Sequence, residues 1–480
     1  MNKRFAKIFV GLFLAVIAFP FVGSFFYKTD FAVEKKTPVP FPELINPDDG
    51  KLNINFLSEM GDYFTERFAF RQEMTTLDAK LSAALTDTSV KDQVVYGKDG
   101  WLYYFETLDE YFGRNTLSER GINNCVKNLK LINDHCDSKG IKFVYSMPSI
   151  KADLYPEHMP FNYIKGNDNN REKLKSGLDK AGVSYVDLHE AFSKDSRVMY
   201  HKLDSHWNNE GAAFAAKLLQ DNVGGESIDY KNEEYDVKKD FRGDIYGMLF
   251  PKGGELDDNI YYKRSHIFEY VSGSSSPEDF DFETKAEGKE GSLVMFRDSY
   301  GNALTPFMAD YYSKAYFTQC MPYDLTYLDE YEADTMMVEL TQRHINYLRD
   351  YLPVMDAPIR EDIDIDLNTA DDMNCIINCI NDENNEDYVI IYGQVDPEYT
   401  DNDSDIVVRL EDSESIADYE AFAACYDNVD MSEKDKDYSF GLRIAKSDLG
   451  DGKFSIKILT EKNGNFVSSK ALIETDKAHI

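Results

Sequence analysis

From residue 118 onward the chain switches repeatedly between helical and extended periodicity, and that rhythm leaves few folds open to it. Ser118 has the chemistry of a helix N-cap, and Ile122, Cys125, Val126, Leu129 and Ile132 mark one face of the helix it would start. Gly140 ends that helix, and Phe143-Val144-Tyr145-Ser146-Met147 reads as a buried strand closed by Pro148. A second helix is expected over residues 170–181, stopped by Gly182, then a strand over 183–188 and a third helix over 210–220. Residues 293–296, 315–317 and 335–340 are further apolar strands. Strands alternating with helices of about ten to fifteen residues predict βαβ units, hence an α/β fold whose parallel sheet is covered by helices on both faces. Residues 222–290 interrupt the pattern with Gly, Asp and Ser clusters, including Ser272 to Pro277, and read as an irregular insertion, a lid or flexible excursion.

Beyond about residue 356 the helical pattern vanishes. Residues 388–392, 406–410, 438–444 and 454–459 are short strands between turns, as in a small β-sandwich. Charge marks the same boundary. The chain carries a formal −35 from 87 Asp+Glu and 52 Lys+Arg, and residues 356–480 hold 31 of those acids against 11 bases. More than half of the excess lies in the last quarter, which argues for a separate module. So acidic a surface repels phosphate backbones, so no nucleic-acid partner is expected.

At the other end, Lys3, Arg4 and Lys7 precede an uncharged, apolar run over residues 8–26. That run is long enough to cross a bilayer as a helix, with its basic end in the cytoplasm. A cleaved signal peptide has a similar outline, but Phe19, Phe21, Phe25 and Phe26 crowd the place where small residues would mark a cleavage site. The expectation is an uncleaved anchor, and both readings put the rest of the chain outside the cytoplasm. The Pro-rich residues 37–42 follow as an extended spacer, residues 54–81 read as helical, and residues 94–104 as a β-hairpin. Six cysteines permit disulfides in an exported chain: Cys375 and Cys379 could pair with each other or with Cys425, while Cys125 sits on an apolar helical stripe. No CxxC pair offers a thiolate zinc site.

Two motifs carry chemistry. In Asp204-Ser205-His206-Trp207 an extended backbone puts residues i and i+2 on one side, so the carboxylate can orient the imidazole as a general base. The competing reading is a helix cap, since Asn208 and Asn209 precede a helix. In Arg297-Asp298-Ser299-Tyr300-Gly301-Asn302, Ser299 stands at a strand-to-helix turn at the carboxyl edge of the sheet, where ligands bind and a helix N-terminus favours an oxyanion. Asp401-Asn402-Asp403-Ser404-Asp405 alternates oxygen ligands that calcium could use, but it lacks the Gly and distant Glu of an EF-hand and reads as solvated acid; no metal site is expected.

In this order the motifs resemble the SGNH-hydrolase-like exopolysaccharide O-acetyltransferases of the alginate O-acetylation type. The resemblance runs over about residues 36–350: Phe41-Pro42, Tyr63 to Arg71, Gly97 to Tyr103, Pro148 to Lys151 with Leu154-Tyr155-Pro156, Asp204-x-His206-Trp207, Phe241-Arg242-Gly243-Asp244, Asp298-Ser299 and Val338 to Arg343. It implies an SGNH-like, flavodoxin-like fold with Ser299, His206 and Asp204 as a catalytic triad, and a carbohydrate-binding β-domain after it. The domain reading is then a membrane segment at 1–30, a linker with a helical and hairpin extension at 31–117, the catalytic domain at 118–355 and the β-sandwich at 356–480. Trp207, Lys151 and Arg343 are candidate substrate contacts, though Trp207 can equally be a buried ring beside the site and the two cations structural charges. Arg297 departs from the Gly that SGNH hydrolases carry there, and the oxyanion donors are not identified by position. The resemblance further implies acetyl transfer through Ser299 to a surface polysaccharide, no cofactor, and a membrane-bound O-acyltransferase as the acetyl donor. A carbohydrate acetyl esterase would use the same triad, and a non-catalytic polysaccharide-binding or assembly protein would keep the scaffold alone.

Overall fold

The computed structural model describes residues 3–34, 36–47, 50–86, 93–271, 273–361, 371–412, 415–426, 431–449, 453–470 and 473–475. Ser272, in the Ser-rich cluster, and Met1 and Asn2, at the start of the membrane segment, lie outside the described residues. Helix α1 (Lys3–Gly23) is the apolar run, 20 residues of it long and apolar enough to cross a membrane and none buried by the rest of the chain. The 54–81 segment forms two helices, α2 (Phe56–Arg67) and α3 (Arg71–Thr86), with a corner between them where Phe70 takes a φ of 64°. Strands β1 (Val94–Tyr96) and β2 (Leu102–Tyr104) pair as the expected hairpin, turned by Asp99 and Gly100 at φ of 57° and 79°.

The Ser118 hydroxyl accepts from the Gly121 N–H and caps the Glu119–Ser138 helix, which leads into β3 (Lys142–Ser146). The Asn170–Ala181 helix leads into β4 (Tyr185–Val186). The 222–290 stretch is not the irregular insertion its composition suggests. It contains the hairpin β5 (Tyr235–Phe241) and β6 (Asp257–Tyr262), and then β7 (Phe268–Tyr270) and β8 (Asp281–Ala286). β5 and β6 form a sheet of their own, whereas β7 and β8 join β3, β4, β9 (Ser292–Phe296), β10 (Lys314–Thr318) and β11 (Thr335–Glu339) in a seven-stranded sheet of order β4-β3-β11-β9-β10-β8-β7. The first five strands run parallel, and β8 and β7 add antiparallel at one edge, so the sheet is mixed rather than wholly parallel. The edge was illegible for a physical reason. Buried central strands are continuous apolar runs, whereas Asp281-Phe282-Glu283-Thr284-Lys285-Ala286 alternates with one face open to solvent.

Helices cover both faces. Phe143, Tyr145, Val294, Phe296, Met336 and Val338 pack with Leu129, Ile132, Leu174 and Leu178 on one side. Val144, Leu293, Met295 and Met337 pack with Ala212, Ala216, Leu304 and Met308 on the other. The β-rich C-terminal region has two sheets sharing one core, in which Ile391 and Leu442 of one meet Val408 and Ile456 of the other. All six cysteines are unpaired, Cys125, Cys136 and Cys425 of them buried. Asp401 is engaged by Lys462, and Asp405 by Lys127 and Arg360, so the acidic loop is tied up by cations.

The C-terminal region is bolted to the Glu119–Ser138 helix. Asn128 Nδ2 donates to the Ala423 carbonyl at 2.7 Å, and Arg120 Nε to that of Asp437 at 2.9 Å. Arg349, 1 % exposed, binds Asp350 at 2.7 Å, Glu433 at 2.8 Å and Asp437 at 2.7 Å. Arg349→Ala strands two buried carboxylates and is expected to cost about 3–5 kcal/mol, read as a lowered urea midpoint.

Candidate active site

Asp204 and His206 sit in a loop just before the Asn209–Asn222 helix, and the cap of that helix is Asn208, whose side chain accepts from the Glu210 and Gly211 N–H groups. Asp204 is therefore released from capping. Its Oδ1 accepts from His206 N–H at 2.9 Å and lies 2.7 Å from His206 Nδ1, while Oδ2 accepts from Asp244 N–H at 2.6 Å. On the far side of the ring, His206 Nε2 is 2.8 Å from Ser299 Oγ. The structure thus brings Asp204, His206 and Ser299 into one hydrogen-bonded line across 93 residues of sequence.

Electrostatics fit a general base. Burial disfavours the His206 imidazolium, but the charge and hydrogen bond of Asp204, helped by the charges of Asp244 and Asp298, outweigh it and raise His206 above its ordinary value. Burial alone would raise the Asp204 carboxyl, yet His206 and the N–H groups it accepts hold it far below the usual carboxylate range. Asp244 moves the other way, its carboxyl raised by burial and then by the neighbouring Asp204 charge.

Ser299 follows β9 in a turn stiffened from both sides. Asp298 accepts from Tyr300 N–H and Thr341 N–H, each at 2.9 Å, and its own N–H donates to Glu339 Oε2 at 3.1 Å. Burial, then the Asp298 charge, lifts the Glu339 carboxyl well above its usual value. The Ser299 N–H has no hydrogen-bond partner among the described residues, as an oxyanion donor requires. Arg297 is buried and committed elsewhere: it holds Asn302 Oδ1 at 2.5 Å and the Pro277 and Asp279 carbonyls at 3.0 and 2.5 Å. Gly301 makes room for it, since a Cβ there would come within 2.5 Å of Arg297 Cδ.

Two of the three expected substrate contacts are corrected. Trp207 is 1 % exposed and donates from Nε1 to the Tyr300 carbonyl at 2.9 Å, which leaves no ring face for a sugar. Lys151 is buried with its ammonium on the carbonyls of His201, Lys202 and Asp204, at 3.1, 3.0 and 2.6 Å, and burial pushes it down to about 8. It steadies the Asp204 loop from beneath. Arg343 is half-buried, 5.7 Å over the Tyr104 ring and within electrostatic reach of the Tyr300 hydroxyl.

Sequence reasoning passed over Asp244 and Tyr300. Asp244 takes Ser205 N–H at 2.9 Å and Ser205 Oγ–H at 2.7 Å; Tyr300 donates to the Ser205 carbonyl at 2.8 Å with its ring 4.7 Å from the His206 imidazole. The signal for Asp244 is the glycine before it: a Cβ on Gly243 would lie 2.1 Å from the Leu203 carbonyl oxygen. Asp204, His206 and Asp244 are close enough to share a cation, but the carboxylate oxygens and the imidazole already have hydrogen-bond partners in the line just described.

Residues 94–248 match the family model of the SGNH hydrolase-like domain of the acetyltransferase AlgX. The chain is 25% identical over 225 residues to a probable alginate O-acetylase AlgJ of Pseudomonas syringae pv. tomato, a match covering 46% of this chain and 52% of that one. Over that stretch the chain is similar to the alginate O-acetylases. A second AlgJ, from Pseudomonas fluorescens, is 22% identical over 236 residues with the same coverage, so the chain spans about half the length of the curated relatives it matches. Among solved structures, PatB1 of Bacillus cereus with a sulfonyl adduct superposes with a TM-score of 0.42 at 13% identity, over 52% of this chain and 95% of that one. The O-acetyltransferase domain of Pseudomonas putida AlgJ gives 0.35 at 17%, over 53% and 92%. The AlgX match contains Asp204, His206 and Asp244 and ends before Ser299.

Proposed function

We propose that this chain is an extracytoplasmic O-acetyltransferase that passes an acetyl group, through an ester on Ser299, to hydroxyls of a surface polysaccharide. The supporting observation is the hydrogen-bonded line from Asp204 through His206 to Ser299, with links of 2.7 and 2.8 Å, and homology to alginate O-acetylases agrees with it. Ser299 Oγ attacks the acetyl carbonyl while His206 Nε2 takes its proton, and the Ser299 N–H faces the charge that develops on the carbonyl oxygen. His206 returns the proton to the departing carrier, leaving the acetyl ester. A polysaccharide hydroxyl then attacks that ester, giving its proton to His206, which restores it to Ser299 Oγ. Asp204 keeps the Nδ1–H tautomer throughout.

Lys3, Arg4 and Lys7, in the first turns of α1, put that end in the cytoplasm and the site outside, as a single-pass membrane protein. Acetyl-CoA is cytoplasmic, so a membrane-bound O-acyltransferase is the proposed donor. Residues 118–355 form the catalytic domain and residues 356–480 a carbohydrate-binding module. The full chain, given an acetyl donor and oligosaccharides, is expected to yield acetylated sugar by mass spectrometry; free acetate alone would make it an esterase instead.

Asp244 acts through Ser205 and His206. Asp244→Asn removes one charge-assisted hydrogen bond, worth about 1.4 kcal/mol, and so about tenfold in kcat/KM. It also lowers the His206 pKa, which Asp204, Asp244 and Asp298 jointly raise against burial, with His201 also within electrostatic reach. The acidic limb of the kcat/KM profile therefore moves to lower pH; a purely structural residue would change Tm and leave that limb in place.

A further inference from the structure

Helix α3 buries polar side chains beside Ala79 and leaves large apolar ones exposed. Its inward residues include Gln72 and Thr76, both buried, with Thr76 Oγ1 accepting from Lys252 N–H at 2.9 Å. Its outward residues Met74, Leu77 and Leu81, at helical spacing on one face, are 46, 58 and 53 % exposed. Just before and within α2, Ile54 and Leu57 are 91 and 81 % exposed. Apolar side chains presented this way mark a contact surface rather than a soluble face.

What covers them follows from their neighbour. The corner between α2 and α3 is fixed to the far end of α1: Phe70 stacks on Phe19 with centroids 5.4 Å apart, Phe64 lies 5.6 Å from Phe21, and Ala69 N–H donates to the Pro20 carbonyl at 3.1 Å. At about 1.5 Å of rise per residue, both helices stay within roughly 25 Å of that exit point. Phe25 and Phe26, 71 and 87 % exposed, add further apolar surface at that exit point. Charge permits contact as well: residues 24–86 hold ten acids against seven bases, whereas the whole chain is at −35.

The geometry points to a bilayer-resting foot: the outward faces of α2 and α3 lie in the headgroup–acyl boundary of the membrane that α1 crosses, and so fix the orientation of the Ser299 site to that membrane. This rests on α1 being a membrane anchor. The two native tryptophans, Trp101 and Trp207, are 2 and 1 % exposed, so introduced ones can be read against them. Full-length Leu57→Trp and Leu77→Trp chains in phosphatidylcholine vesicles are expected to emit at shorter wavelength and to be quenched several-fold more by brominated lipid than Phe161→Trp, which reports an exposed position outside α1–α3 in sequence. Quenching of Phe13→Trp, inside α1, with none at positions 57 and 77 would overturn the foot and leave the anchor standing. Absence of quenching at all three would overturn both. A blue shift at 57 and 77 without lipid quenching means a protein occupant and also overturns it. Paired Leu57→Glu and Leu77→Glu substitutions should lower transfer from a membrane-borne donor several-fold and leave hydrolysis of a soluble acetyl ester unchanged; equal effects on both, or none on either, would count against the proposal.

Discussion

Ser299→Ala reduces polysaccharide acetylation to background, a loss on the order of 10⁴ to 10⁶ in turnover with the fold intact. Removing the nucleophile abolishes the covalent route, and His206 cannot substitute for it, since its Nε2 would face only a methyl group where Ser299 Oγ stood 2.8 Å away. Stability should barely change, because Ser299 is half-buried and the turn is held by Asp298 and Glu339 rather than by its hydroxyl. The measurement is acetyl content of the polymer from cells carrying the variant at wild-type abundance. Undiminished acetylation would leave only the scaffold reading. With purified chain, intact-mass analysis after a short exposure to donor should find the acetyl adduct on wild type and not on the variant.

Asp204→Asn is the second large effect, about 10⁴ in kcat. An amide at this place can present its N–H to His206 Nδ1, which stabilises the tautomer with the proton on Nε2, the nitrogen that must accept from Ser299. Residual activity should keep working to lower pH than wild type, because the charge that raises His206 is gone. Stability carries its own signature. The Asp204 carboxyl is far below its unfolded value in the folded chain, so its contribution is present above about pH 4 and is lost as the pH falls further. Wild type should lose that increment between about pH 4 and lower values in acid titration, while the Asn variant shows a shallower slope there.

Much of this was legible because central elements announce themselves. Continuous apolar runs such as Leu293 to Phe296 can only be buried strands, and the Asn170–Ala181 helix has the bounds its capping residues and Gly182 suggest. The edge strands β7 and β8 were not, since half of each faces water and its composition mimics a loop. The site shows the same asymmetry. Asp204 and His206 are two residues apart and could be paired by local geometry, whereas Asp244 reaches Ser205 from 39 residues away and Glu339 reaches Asp298 from 41. Nothing local distinguishes an acid that supports a turn from one that faces solvent. Trp207 and Lys151 stayed between a buried and a substrate-facing reading for the same reason, their burial being decided by Tyr300 and by carbonyls of a loop some fifty residues on.

The clamp formed by Arg120, Asn128 and Arg349 has a consequence for any long polymer. If the C-terminal sheets hold the sugar chain as proposed, it would meet Ser299 at an offset set by the hydrogen bonds that tie those sheets to the helix feeding the central one. Such a device works as a ruler. Acetyl groups would then fall along the polymer at a regular stride rather than at random.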